Sequence, residues 1–232
     1  IANATSTLDV NGKTETIGTL TGDATATVAL GLGALTVTQG ADQTYAGVIS
    51  GGAASSLTKA GASKLTLSNA NTYTGTTNVN AGTLSVTNAA GLDVGSSLVV
   101  NGGTLDINNV TLNTLASAQV QGTGAAGVGA VTGTQALARY DGDITMAAAT
   151  TVGGGGTLTL NGIISDGGGA LALTKAGAGT VVLGGANTYT GGTNINAGTL
   201  KLGADGVLAD AGAVTIANAT STLDVNGKTE TI

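Results

Sequence analysis

LTKAGASKLTLSNANTYTGTTNVNAGTL, residues 57–84, returns as LTKAGAGTVVLGGANTYTGGTNINAGTL at residues 173–200, with 20 of 28 positions identical. A second echo encloses the first: IANATSTLDVNGKTETI occupies residues 1–17 and again residues 216–232, at an offset of 215. A fixed long period implies stacked units that contact only their neighbours. Residues 1–232 therefore read as a single solenoid, one 215-residue tandem period followed by a 17-residue overlap, 216–232, into the next. The motif cores at 57–84 and 173–200 mark two sub-repeats of 116 and 99 residues.

Outside the cores, most matched intervals agree within two residues. One does not: Leu20 to Ile49 spans 29 residues, whereas the matching Leu115 to Ile164 spans 49. The 20 additional residues fall within 116–152 and read as an extra structural unit, because a partial one would shift register and turn apolar faces outward. One solenoid coil fits, and so does one hairpin, given the Asn-Gly dipeptides. Spacing leaves both open.

Between the turns, short apolar triplets recur: Leu8-Asp9-Val10, Leu65-Thr66-Leu67, Leu105-Asp106-Ile107, Leu200-Lys201-Leu202 and Leu223-Asp224-Val225. Their alternation is that of strands with one buried face, which predicts solvent-facing Asp9, Asp106, Lys201 and Asp224. Asn11-Gly12, Asn101-Gly102, Asp166-Gly167 and Asn226-Gly227 are turn candidates, since Gly and Asn adopt positive φ at little cost. No capped i, i+3, i+4 stripe is present, so the whole chain is read as all-β.

With 41 Gly, four Tyr and no Phe, Trp, Pro, Cys or His, such a chain must bury small side chains in thin layers. A parallel β-helix does this, because each coil bonds to its neighbours at a rise of about 4.8 Å and small or β-branched residues stack on themselves. At about 20 residues per coil, one period would hold ten or eleven coils over about 50 Å.

The net charge of −6 is spread without runs. Nucleic acid and anionic membranes need clustered cations, so neither is an expected partner. Without Cys or His, a disulfide framework, a zinc site and a Ser-His-Asp triad in its usual form are excluded. No cofactor is expected. The start at Ile1, with no basic and then hydrophobic leader, reads as an internal piece of a mature protein.

The stretch KAGAGTVVLGGANTYTGGTNINAGTL and its copy at 59–84 resemble the autotransporter-associated β-strand repeat, also called the passenger-associated transport repeat. LDVNGKTETIGTLTG at 8–22 and YAGVISGG at 45–52 are similar to segments found beside that repeat. The resemblance implies a right-handed parallel β-helix in a secreted or surface-exposed bacterial protein, and a scaffold without catalytic residues.

Three candidate chemistries remain. Scattered acids read as solvated strand positions, which argues against a β-helical polysaccharide-degrading enzyme. Arg139-Tyr140-Asp141-Gly142-Asp143 holds the only Arg; Asp141 and Asp143 are weak metal candidates, since calcium needs more oxygen ligands than two neighbouring acids supply. The alternative is a polar turn with Tyr140 packed over it. The repeat-motif residues Asn71, Tyr73, Gly75, Asn80 and Gly82, with their copies Asn187, Tyr189, Gly191, Asn196 and Gly198, are assigned structural roles. In this reading Asn stacks its amide in a turn ladder, Tyr covers the coil edge, and the Gly of Asn-Thr-Tyr-Thr-Gly takes positive φ. The expected function is an extracellular stalk, adhesin shaft or filament built on neighbouring identical repeats. The alternative is a recognition module for host or matrix glycan or protein, acting through a lateral face or the inserted unit.

Overall fold

The computed structural model describes residues 6–209 and 212–231. Residues 1–5, 210–211 and 232 of the expected span lie outside the described residues, including part of both copies of the 17-residue overlap.

Every strand pairing among the described residues is parallel, so the 20 additional residues do not form a hairpin. The chain winds as a β-solenoid of about 10 turns with about 21 residues per turn. Each coil has three faces. The first carries Thr14–Ile17, Ala34–Thr38, Ser56–Ala60, Thr76–Val79, Ser97–Asn101 and Ser117–Gly122. The second carries Gln43–Tyr45, Lys64–Leu67, Thr83–Val86, Thr104–Ile107 and Val131–Thr132. The third begins with Thr7–Asp9, Thr27–Ala29, Val48–Gly51 and Thr72–Tyr73, and resumes from Thr111–Leu112 through Ser221–Asp224.

Short strands suffice because neighbouring coils pair residue for residue. Ala34, Ser56 and Thr76 stand opposite one another, as do Leu35, Leu57 and Thr77. Alternate residues point inward, and Leu35, Val37, Leu57, Leu65, Val79, Leu84 and Val100 are fully buried in one continuous core. The corners take the residues that tolerate positive φ: Asn11 (52°) with Gly12 (69°), Asn226 (51°) with Gly227 (68°), Gly102 (94°) and Gly167 (59°).

The middle of the chain departs from this regularity. A ten-residue strand, Ile144–Gly153, runs round a corner and belongs to two faces. Its start pairs with Ser117–Gly122 and Ile164–Ser165, and its end with Val131–Thr132 and Leu173–Lys175. Before it, a loop carries the one helical turn among the described residues, a 3-10 turn at Ala125–Gly127.

This loop overturns one expectation. Asp106 does not face solvent but is 4% exposed, on a strand buried on both sides. The inserted segment folds over the outer face of Thr104–Ile107 and supplies the partners that make burial tolerable. Thr134 donates its N–H to Asp106 Oδ1 at 3.2 Å and its hydroxyl to Oδ2 at 3.0 Å; Thr132 and Ser85 add hydroxyl bonds at 3.3 and 3.0 Å. Asp9 is exposed, while Lys201 and Asp224 are half-buried and form an ion pair at 3.5 Å.

Candidate functional site

The repeat motif is built around side chains that face inward. Asn71 and Asn187 are 2% and 7% exposed and make no Asn-on-Asn ladder. Each instead spans three coils. Asn71 Oδ1 accepts the Ile49 N–H at 2.8 Å, and its Nδ2 donates to the Gly91 carbonyl at 2.7 Å. Asn187 repeats this with the Ile164 N–H at 2.8 Å and the Val207 carbonyl at 2.6 Å. A side-chain amide suits the position because it carries a donor and an acceptor in one plane, matching two backbone groups that the corner leaves unpaired.

Nor do the tyrosines cover an outer edge. Tyr73 and Tyr189 are fully buried, sharing hydroxyl hydrogen bonds with Thr77 (2.5 Å) and Thr193 (2.6 Å). Burial pushes the Tyr189 phenol up to about 12 and Tyr73 higher still.

The motif glycines divide into two kinds. Gly75 and Gly191 do not have positive φ; that conformation belongs to Gly82 (60°) and Gly198 (65°). What Gly75 and Gly191 provide is close approach, since a Cβ would collide with the Ser55 and Ala170 carbonyls of the neighbouring coil. Asn80 and Asn196 sit at exposed corners, donating their N–H groups to the Lys59 and Lys175 carbonyls at 3.0 and 2.9 Å.

One pair in the motif escaped the sequence reading. Lys59 and Lys175 are fully buried although neither forms an ion pair among the described residues, Asp42 acting on Lys59 only at longer range. Lys59 Nζ donates to the carbonyls of Ala60, Gly61 and Ala81 at 2.8, 2.8 and 3.1 Å. Lys175 Nζ donates to Ala176, Gly177 and Ala197 at 2.9, 2.8 and 2.8 Å. All three ammonium donors are thus satisfied, and the last bond of each set ties one coil to the next. Burial disfavours the charged form and lowers both groups to about 8. The signal was present in the alternation, since Lys59 shares the inward phase of Leu57.

On the inserted segment, Arg139 Nε and Asn161 Nδ2 both donate to Asp141 Oδ1, at 2.6 and 2.7 Å. Asp143 Oδ1 accepts the Ile163 N–H at 2.7 Å. Desolvation pushes the Asp141 carboxyl up, but the Arg139 and Asn161 hydrogen bonds and the Arg139 charge together hold it below its ordinary range. Among the described residues, no three Asp, Glu, His or Cys side chains gather where they could hold a metal ion. Tyr140 lies in the core, 3% exposed, and its hydroxyl packs against Gly142 of the turn from inside. Around this segment the surface is open and apolar: Leu137 and Val128 are 71% and 47% exposed. A shallow depression of about 380 Å³ is lined by Val128, Thr132, Thr134, Gly154 and Gly177.

Fold and motif together define a β-solenoid scaffold whose repeated polar residues serve coil stacking. Residues 57–86 and 173–202 match the sequence family Passenger-associated-transport-repeat. A 49-residue stretch is 51% identical to "Adhesin BmaC autotransporter" of Brucella suis biovar 1 (strain 1330), covering 21% of this chain and 1% of that protein. No solved structure matches.

Proposed function

We propose that this chain is a structural segment of an extracellular bacterial surface protein, a rigid shaft built by stacking coils, with neighbouring identical repeats as its partners. The observation that carries the reading is the placement of the repeated polar residues. Asn71 and its copy spend both side-chain hydrogen bonds on adjacent coils, and Lys59 and its copy spend all of theirs on corner carbonyls, one of them in the next coil, so these repeated polar side chains are turned to stacking rather than to a lateral site. The similarity to an autotransporter adhesin supports surface placement, and the reading assigns the chain no catalysis.

Small-angle scattering tests the shaft. A rod about 48 Å long is expected from ten coils at the inter-strand rise of about 4.8 Å. A globular scattering profile would remove the reading.

The second reading is recognition through the inserted segment, favoured by exposed Val128 at this depression and exposed Leu137 at a second one beside Arg139 and Thr159. Leu137→Ser with Val128→Ser should then abolish binding on an array of matrix glycans and proteins. If the unsubstituted chain binds nothing on such an array, the shaft reading stands alone.

A further inference from the structure

The first-face ladder can be followed along the whole molecule. Glu15 pairs with Leu35, Leu35 with Leu57, Leu57 with Thr77, Thr77 with Leu98, and Leu98 with Ala118. The ladder continues through Ile144 to Ile164, whose carbonyl accepts the Thr188 N–H. Asn187 then bonds to Val207, and the Val207 N–H donates to Glu230. Ten steps thus lead from Glu15 to Glu230, the same residue of the 17-residue repeat at an offset of 215.

Neither sub-repeat closes in this way. Leu57 lies on the first face, but its copy Leu173 lies one face further on, paired with Thr150, and the ladder of Leu84, Leu105, Val131 and Val152 runs on that same face to Lys175. The second motif copy is therefore turned by a third of a coil, and only the full period returns each residue to its starting face.

The seat of the next period is visible in this chain. Residues 222–230 are identical to 7–15 and lie on residues 199–208. Leu223 pairs with Leu200, and Asp224 with Lys201. Thr229 donates its N–H to Asp205 at 2.9 Å, and Glu230 Oε2 accepts the N–H groups of Val207 and Leu208 at 2.9 and 3.0 Å. The equivalent Asp9, Thr14 and Glu15 are exposed on the first coil.

We propose that successive 215-residue copies of this sequence join by laying residues 7–15 of one copy onto residues 199–208 of the copy before it, in the register residues 222–230 hold here. The partner is a second copy of this chain. Each face then continues in line across the joint, and the inserted segment with Val128 recurs on one side of the rod every ten coils, about 48 Å apart. The inference rests on the shaft reading and adds its register.

A two-period chain, residues 1–232 followed by residues 18–232, tests it. The protein has no Cys, so Val128→Cys in both copies gives two clean spin-label sites. Pulsed dipolar spectroscopy should give one distance of about 48 Å. A distribution centred at a clearly longer distance, as a third-turn displacement would produce, overturns the register. In the same chain, Glu230→Ala at the inner joint should speed hydrogen exchange of the preceding Val207 and Leu208 amides at least about tenfold, the loss of roughly one charged hydrogen bond. The corresponding amides of the second copy keep their terminal Glu230 and serve as the control. Equal exchange in both copies overturns the proposal, and the label distance decides if the substituted chain does not fold. A compact or bent scattering profile would instead defeat the shaft itself, whereas a straight rod with displaced labels would defeat only the joint.

Discussion

Lys59 and Lys175 show how a charge enters a core without a counter-ion in contact. Six backbone carbonyls at the corners serve two ammonium groups, so no donor is lost, although desolvation of the charge remains. With folded values of about 8 against the ordinary 10.5, the unfolded chain binds more protons between those limits, and stability rises with pH across that window. The tyrosines act in the opposite sense. Burial pushes Tyr45, Tyr140 and Tyr189 to about 12 and Tyr73 further, so above the ordinary value of 10.0 the folded state retains protons that the unfolded state releases. The urea midpoint should therefore climb from pH 8, peak near pH 10 and then decline. A flat profile from pH 8 to 10 would contradict the buried ammonium groups. Lys59→Ala should cost about 2–5 kcal/mol near neutral pH, because it leaves a cavity and three carbonyls without a donor. Lys59→Ala with Lys175→Ala should be additive within about 0.5 kcal/mol in urea titrations, as the sites share no partners.

At the scale of the element, corners rather than strands set the tolerances. Gly75 lies tight against the Ser55 carbonyl of the coil below, so Gly75→Ala forces the coils apart and should cost at least about 2 kcal/mol. Gly18 has open space around its Cβ position and no positive φ, so Gly18→Ala should lie within about 0.5 kcal/mol of the parent chain. Thermal unfolding of the two variants separates close approach from backbone freedom as the reason for glycine. Three-faced coils also explain how the central irregularity is absorbed. Alternation restarts after each corner, so one strand, Ile144–Gly153, can serve two faces without exposing the core, its start on the first-face ladder and its end on the second. Asp106 is the local consequence, a strand residue buried from outside by Thr132 and Thr134.

For the whole molecule, proteolysis follows from where the cations sit. Trypsin needs a locally opened chain around an exposed Lys or Arg. Lys13, Lys64 and Arg139 are exposed, whereas Lys59 and Lys175 are sealed in the lumen. Brief native digestion followed by mass spectrometry should show cuts after the first group well before any after Lys59 or Lys175. Early cleavage at Lys59 would mean that its coil opens independently of its neighbours, against the nearest-neighbour cooperativity expected of a stacked array.

The repeats, the Gly-rich corners and the period-two triplets were enough to define an all-β solenoid of about 20 residues per coil, because each is a local or periodic property that the chain states directly. The inward phase of the motif was equally legible: Leu57 and Lys59 stand two apart, and only the habit of placing lysine in water hid the second. Three things were not local. The burial of Asp106 depends on a loop that begins some 20 residues later in the chain; the three-coil reach of Asn71 depends on which backbone groups the corners leave unpaired. The third is the turn of the second motif copy by one face, which two sub-repeats of 116 and 99 residues do not reveal. Sequence spacing counts residues, but the face on which a residue lands depends on how many of them each corner and loop consumes, and only the folded ladder records that.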